Sequence, residues 1–342
     1  MSNSPREEPI PGRTDPAAGP DAGPDSAPLV SIVIPAYNHE KFVRESIESA
    51  LNQTYPRCEL IVINDGSTDG TDRVIREIHE RTDGAFRYLS KKNEGLVPTL
   101  NRGLEMARGK YFAQFGSDDV LMPYAAARQV RRLEEDPRLG LVCADAYYLE
   151  GSSRTGRRML GPRGPRYFKS RDLYRELLRH NFIVNLTIMY RRETLIDVGA
   201  FDPAVPYFED WDAVLRVAER HPIGYIDAPL GYWRLHPTNT HKRIDWMFAG
   251  IRSTVEKHFR EGRLSHLHWL RRRIFSRIYY RYGKQLLAVG DTGRARGCFS
   301  TALGFNPFLF RAYSGFLKAA RNRTPSHPGS TTPGRPGRES VT

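Results

Sequence analysis

Residues 30–72 read VSIVIPAYNHEKFVRESIESALNQTYPRCELIVINDGSTDGTD. Two short apolar runs stand out, Val30 with Ile32, Val33 and Ile34, and Leu60 to Ile63. Between them Phe42, Val43, Ile47, Ala50 and Leu51 recur on one face of a helix expected over roughly residues 39–52. Apolar runs rich in β-branched residues, separated by a helix, predict neighbouring buried parallel strands. Each run ends in turn chemistry, Pro35-Ala36-Tyr37-Asn38 and Asn64-Asp65-Gly66-Ser67. Open α/β sheets bind ligands just beyond the carboxyl ends of their strands. The stretch therefore puts an aromatic, Tyr37, and an acid, Asp65, on one candidate edge.

The alternation continues downstream. A second helix is expected over 71–80, with Val74, Ile75 and Ile78 on its face and Asp69, Thr71 and Asp72 supplying cap and first-turn acids. A third strand is expected at 86–89, a helix at 98–107 with Pro98 near its start, and a fourth strand at 110–115. The turn Gly116-Ser117-Asp118-Asp119 precedes a helix at 123–135, and a further strand follows at 139–149. Residues 151–172, rich in Gly, Arg and Pro, are expected to form a mobile loop that could serve as a lid. Beyond it lie strand character at 185–190, a turn at Gly199–Pro203, and a helix at 209–219 carrying Trp211, Val214, Leu215 and Ala218 on one face. One or two strands follow at 223–235, and an all-helical pattern runs from about Asp245. This is an α/β nucleotide-binding pattern. Neither G-x-G-x-x-G nor G-x-x-x-x-G-K-[ST] occurs, so no glycine cradle is available for phosphate, and acids with a metal are expected to hold it.

Composition narrows the class. Three cysteines, Cys58, Cys143 and Cys298, are widely spaced and odd in number, which argues against a disulfide framework or a Cys-based zinc site and fits a reducing compartment. No apolar run approaches the ~20 residues of a membrane-spanning helix. Residues 1–28 are expected to be a disordered tail without the apolar core of a signal peptide, and 323–342 a second such tail. The net charge of +13 sits in one place: residues 251–323 hold 16 Lys and Arg against 3 acids, and the rest of the chain carries 36 of each sign. That asymmetry points to an anionic partner for the C-terminal segment.

Three acidic clusters remain: Asp65, Asp118-Asp119, and Glu209-Asp210 with Asp212. The first two follow apolar strands, and the third opens a helix. A strand-end acid can bond a base or ribose, and an adjacent carboxylate pair can hold a hard divalent cation, which neutralises a diphosphate leaving group. Each has a plainer explanation: an Asx turn at Asp65, a helix cap at Asp118-Asp119, dipole-favoured acids at Glu209 and Asp210, and core packing for Trp211 beside Leu215.

Eight motifs in register outweigh those alternatives: VSIVIPAYN, the run N-D-G-S-T-D-G-T at 64–71, Asn93-x-Gly95, Asn101-x-Gly103-Leu104, YFAQFGSDD, VGAFD at 198–202, FEDWD at 208–212 and YWRLH at 232–236. Through them, over about residues 28–240, the chain resembles the family 2 glycosyltransferases, inverting enzymes of the GT-A fold that use nucleotide-diphosphate sugars. The resemblance implies an α/β fold of GT-A type, a mostly parallel nucleotide-binding sheet flanked by helices, here with a C-terminal all-helical segment. It implies a catalytic domain over 29–245 and a basic helical segment over 246–322. It implies donor contacts from Pro35, Ala36, Tyr37, Asn38, Asp65, Asn93, Gly95, Ser117, Asp118 and Arg234. Asp118, Asp119 and His236 would hold a divalent cation, Mg2+ or Mn2+; Asp210 would be the catalytic base, and Glu209 and Trp211 would face the acceptor. Where the family often reads D-x-D-D this chain has Gly116-Ser117-Asp118-Asp119, so the first acid is absent.

The segment Leu264–Tyr282, with Arg271, Arg272, Arg273 and Arg277 between its apolar positions, is expected to be a basic amphipathic helix. Tyr279, Tyr282, Gly283, Leu286, Ala295, Phe299, Ala302 and Pro307 fall at spaced positions resembling one tetratricopeptide repeat, with residues 290–293 as its inner turn. A single repeat cannot build a solenoid, so a buttress is expected. Its arginines could dock residues 251–323 on an anionic membrane surface, each basic residue adding about 1 kcal/mol. The expected partners are a nucleotide-diphosphate sugar donor and a glycan or lipid-linked acceptor of the cell envelope. The expected location is cytoplasmic, peripheral at the inner face of the plasma membrane. Nucleic acid is not expected as a partner: strand-end acids would repel phosphate and no nucleic-acid motif is present. A catalytically inactive scaffold is the rival class.

Overall fold

The computed structural model describes residues 26–151, 153–205, 207–237, 239 and 243–321. Of the expected tails, residues 1–25 and 323–342 lie outside the described residues, as does residue 322. Pro28 and Ala27 lie within them, their carbonyls accepting from Tyr55 Oη at 2.7 Å and Arg57 Nη1 at 2.8 Å. In chain order the elements are β1 (Val30–Ala36), α1 (Val43–Leu51), β2 (Cys58–Asp65), α2 (Thr71–Arg81), β3 (Arg87–Lys91), α3 (Leu96–Met106), β4 (Tyr111–Gln114), β5 (Val120–Leu121), α4 (Ala125–Glu135), β6 (Leu141–Glu150), β7 (Ser153–Arg158), α5 (Gly164–Phe168), α6 (Leu173–Arg179), β8 (Met189–Arg191), α7 (Arg192–Asp197), α8 (Glu209–Arg220), β9 (Ile223–Leu235), α9 (Ile244–Glu261), α10 (His268–Ala288), α11 (Thr292–Phe305) and α12 (Phe310–Arg321).

Two compact units divide these elements. The first holds the whole sheet, ordered β3-β2-β1-β4-β8-β6-β9-β5 with β7 added beside β6. Strands β1 to β4 are parallel, Val33 pairing with Ile61 on one side and Gln114 on the other. Strand β8 then runs antiparallel to β4, and β5 antiparallel to β9. The apolar runs of β1 and β2 are buried because helices cover the sheet. In α1 the buried face is Val43, Ser46, Ile47 and Ala50, in α2 Thr71, Val74, Ile75 and Ile78, in α4 Ala126, Gln129, Val130 and Leu133. Each set follows the i, i+3, i+4, i+7 stripe of an amphipathic helix. The apolar members of these sets join β1 and β2 in one core with Tyr111, Val142 and Met189.

The second unit contains α6, most of α8, and α9 to α12. Helices α10, α11 and α12 share a core of Tyr282, Leu286, Ala295, Phe299, Ala302, Ala312 and Ala319. Small residues let them approach: a Cβ on Gly315 would meet the Phe299 ring at 2.7 Å.

Four expectations need correction. The mobile loop at 151–172 is largely ordered structure: β7 pairs antiparallel with β6, and α5 follows. The cause is Asp145, fully buried on β6, whose carboxylate accepts from Arg158 Nε and the backbone N–H of Ala146, Leu160 and Gly161, all at 2.8–2.9 Å. A buried carboxylate demands such partners, and they come from the segment itself. Phe168 also stacks on Tyr225 with ring centroids 4.4 Å apart. The strand expected at 185–190 is a 3-10 turn over 185–187 and strand only from Met189, because the Thr187 hydroxyl and the Asn185 side chain bond to Ala144 and Gln114. The basic helix expected from Leu264 begins at His268, since residues 263–266 form a turn. The first helix begins at Val43, the residues from His39 being a turn closed by Phe42 and Val43 N–H groups on the His39 carbonyl.

Candidate active site

The register that pairs Ala36 with Asn64 and Asp65 with Lys91 brings the loops after β1, β2 and β3 to one edge. Pro35 and Ala36 close β1, and Tyr37 stands 46% exposed beyond them. Asn38 takes a positive φ of 54°. Its Oδ1 accepts from Thr68 N at 2.8 Å and its N–H donates to Ser67 Oγ at 3.0 Å, which ties the first loop to the second. Asp65 is buried, and both its oxygens engage the third loop: Oδ1 with Lys91 Nζ and Glu94 N, Oδ2 with Gly95 N at 2.9 Å. Gly66 is required where it stands. Its φ is +67°, and a Cβ would meet the Asn93 backbone nitrogen at 2.5 Å. Asn93 is exposed, and Gly95, at φ 91°, opens α3.

The turn after β4 carries the acid pair. Ser117 is buried, and its Oγ is 2.7 Å from His39 Nδ1. An Asp118 carboxylate oxygen lies within 4.8 Å of a His39 ring nitrogen. Asp119 points inward, buried, with Oδ1 accepting from Arg234 N at 2.9 Å. Burial, and then the neighbouring Asp118 charge, hold its carboxyl well above the usual range. The two acids are thus separated by geometry: Asp119 secures the turn, and Asp118 is the one beside an imidazole. A carboxylate oxygen and an imidazole nitrogen are both ligand types for a divalent cation. The fit of this pair to a divalent cation is chemical as well as spatial, because a cation there would offset the repulsion between the adjacent acids.

Arg234, on β9, braces the same turn. Its Nε donates to the Asp118 carbonyl at 2.7 Å, Nη1 to the Gly151 carbonyl at 3.0 Å, and Nη2 to Glu45. The guanidinium also lies 5.3 Å from the Phe42 ring centroid. Three protein partners and an aromatic face define a clamp on the acid turn.

In the second unit, α8 opens with Glu209 and Asp210. Glu209 is buried, and its Oε2 has no hydrogen-bond partner among the described residues. Burial, then the Asp210 charge, raises its pKa. Asp210 Oδ1 accepts from Trp211 N at 2.6 Å, yet burial still lifts the Asp210 carboxyl to about 6. Such a carboxylate is a stronger base than an ordinary one while remaining ionised at neutral pH. Trp211 is 3% exposed and donates Nε1–H to the Leu177 carbonyl at 3.1 Å, the core position that its helical spacing with Leu215 allowed. Asp212, fully buried, is bonded by His258, Lys257 and Arg216, which fixes the first turn of α8. These partners hold the Asp212 carboxyl well below the usual range despite its burial. His236, just past β9, is paired with Asn239 through its N–H at 2.7 Å and its Nε2 at 2.8 Å.

The strand-end geometry therefore gathers Pro35 to Asn38, Asp65, Asn93, Gly95, Ser117 and Asp118 in the first unit. His39 is the residue that sequence reasoning missed. Its signal was its place directly after the PAYN turn, on the edge where ligand is expected.

Residues 31–199 match the profile described as Glycosyl transferase family 2. An uncharacterized glycosyltransferase of Haemophilus influenzae is 34% identical over 229 residues, covering 62% of this chain and 67% of the relative. Chondroitin synthase of Escherichia coli is 31% identical over 64% of this chain and 31% of its own length. The chain spans 36% of the length of a similar uncharacterized glycosyltransferase from Rickettsia felis and 66% of one from Rickettsia prowazekii. Among solved structures, S. aureus TarS 1–349 in complex with UDP-GlcNAc superposes with TM-score 0.60 at 15% identity, covering 86% of this chain and 89% of that one. A mannosyltransferase from Pyrobaculum calidifontis in complex with GDP-Man and Mn2+ gives 0.56 at 19% identity, covering 87% of each. These likenesses carry the GT-A fold.

Proposed function

The chain belongs to glycosyl transferase family 2, and from that premise we propose that it moves a sugar, with inversion, from a nucleotide-diphosphate sugar to an acceptor hydroxyl. The observation that carries the proposal is the strand-end edge of the first unit, where Asp65 ends β2, Asp118 follows β4 and His39 stands against Ser117. Tyr37, Asn38 and the loop held by Asp65 receive the base and ribose. Asp118 with His39 would hold a divalent cation, a set to which the family's pattern adds His236. When bound there, such a cation would supply Lewis-acid neutralisation of the diphosphate. Asp119 and Arg234 keep the acid turn in place.

Asp210 removes the acceptor proton. The freed oxygen forms its bond to the anomeric carbon from the face opposite the diphosphate, and the bond from that carbon to the diphosphate oxygen breaks. The electron pair leaves with the nucleoside diphosphate. Glu209, whose buried carboxyl is pushed up by desolvation and then by the Asp210 charge, lies beside the base and is assigned to the acceptor side by the family's pattern. In this scheme residues 29–245 form the catalytic domain and 246–322 a helical buttress. The helix–turn–helix of α10 and α11, whose core uses Tyr282, Leu286, Ala295, Phe299 and Ala302, supports the single-repeat reading.

No helix among the described residues is long and apolar enough to cross a membrane. Arg179, Arg273 and Arg281 crowd Arg277 closely enough that, after burial, their charges lower its pKa. This cluster supports docking on an anionic cytoplasmic membrane face, where the acceptor would be an envelope or exopolysaccharide glycan. Flotation with anionic liposomes should carry the chain upward at moderate salt, and absence of flotation would remove that part.

The main test is release of nucleoside diphosphate from a panel of UDP-, GDP- and TDP-sugars with Mn2+, followed by NMR of the product's anomeric configuration. Release and inversion are expected. No release from any donor would favour an inactive scaffold.

A further inference from the structure

Two large aromatic rings are exposed together on the helical unit. Tyr207 is 44% exposed and Trp246 41%. Their centroids lie 4.6 Å apart with 29° between the ring planes. The Arg243 guanidinium also lies over the Trp246 ring, 4.2 Å from its centroid, so with Tyr207 stacked on the same indole the aromatic surface left to a ligand is the outer side of Tyr207 and the edge of Trp246. Tyr207 holds φ at 71°, a backbone state that a bulky side chain rarely adopts. Strain of that kind persists where surrounding structure enforces it, and it clusters at ligand sites. The platform borders an open cleft of about 530 Å³ whose lining includes Arg243, Asp245, Trp246, Val289, Asp291 and Arg294. The charged groups are pre-arranged: Asp245 accepts from Arg294 at 2.5 Å, and Asp291 caps α11 through Arg294 N at 3.0 Å.

This combination has a chemical meaning. Flat aromatic faces in water gain by covering apolar C–H surface, while fixed carboxylates and guanidinium groups satisfy hydroxyls at its rim. A sugar ring presents both, an apolar face and an equatorial belt of hydroxyls. A nucleotide phosphate would meet Asp245 and Asp291 as well as the arginines, so an uncharged ligand is the better match. Tyr207 also stands only three residues before Asp210 in the chain.

We propose that Tyr207, Trp246 and the adjoining cleft form an acceptor subsite that holds a sugar ring of the glycan chain away from the reacting hydroxyl. The proposal rests on the glycosyltransferase reading above and gives its acceptor side a location that Trp211, being buried, does not supply.

The test uses the full chain with cellohexaose, maltohexaose and N-acetylchitohexaose as probes, titrated at millimolar concentration and followed by the indole N–H resonances and saturation-transfer NMR. UDP and GDP with Mn2+ are titrated in parallel. At least one hexaose should shift the Trp246 indole. Trp246→Ala should weaken that binding at least tenfold and Tyr207→Ala at least threefold, with nucleotide affinity unchanged within twofold. Trp246→Tyr should recover most of the binding, which separates stacking from misfolding. No binding of any hexaose, or binding indifferent to Trp246→Ala, would overturn the subsite even where nucleotide binds normally. Hexaose binding that depends on Trp246, without any nucleotide binding, would sustain the subsite and refute the donor reading instead.

Discussion

Replacing Asp210 by Asn should lower activity and raise stability at once. Burial lifts this carboxyl from its ordinary 3.8 to about 6. A rise of that size costs the folded state roughly 3 kcal/mol at neutral pH. The folded chain holds the proton more tightly than the unfolded chain, so between about pH 4 and 6 stability falls as pH rises. Above pH 6 the whole cost is present, and below pH 4 none of it is. Asn is isosteric, carries no charge, and can still accept from Trp211 N. Asp210→Asn should therefore gain roughly 1–3 kcal/mol at pH 7.5, a few degrees in Tm, and nothing at pH 4. Transfer should fall about 10²- to 10⁴-fold, the usual worth of a general base. Wild-type kcat/KM should halve near pH 6 and rise to a plateau above it, as the base of the free enzyme ionises. Thermal unfolding at both pH values and a pH–rate profile read all three. A variant less stable than wild type at pH 7.5, or one with near-normal kcat, would refute the assignment and its cause together.

Two further substitutions probe the scaffold around the donor edge. Arg234→Lys keeps the charge but cannot reach the Asp118 carbonyl, the Gly151 carbonyl and Glu45 together; a loss of about 2–3 kcal/mol in urea unfolding is expected, with Mn2+-dependent nucleotide binding weakened several-fold, and an unchanged midpoint would contradict the clamp. Gly66→Ala puts a Cβ against the Asn93 nitrogen at a positive φ, so about 1–2 kcal/mol of stability should go, with the amide resonances of residues 93–95 displaced; an unperturbed loop would show that the close approach does not govern it.

How much of this was legible in sequence follows from where the determinants lie. The strands β1 and β2 are readable because covering helices bury both faces, which forces continuous apolar runs. The strand-end acids are readable because parallel strands bring their ends to one edge. Strand β7 is not: Ser153 to Arg158 carries no apolar alternation, and its order comes from Asp145 on another strand. The short strand β5 has only two residues and exists through pairing with Tyr232 and Gly231. His39 escaped because its partner Ser117 lies 78 residues away. Trp211 could be read either as core or as acceptor aromatic, since helical spacing alone does not say which face is covered.

The most direct test of the account is calorimetric titration of UDP, GDP and their sugars into the full chain, with Mn2+ and with chelator, on wild type and Asp118→Asn. At least one donor should bind with Mn2+, lose affinity at least tenfold in chelator, and lose as much in Asp118→Asn without a change in Tm beyond a degree or two. Binding of equal strength in chelator and in the variant, or no binding of any nucleotide at millimolar concentration, would contradict a metal-assisted donor site at the carboxyl ends of β1, β2 and β4.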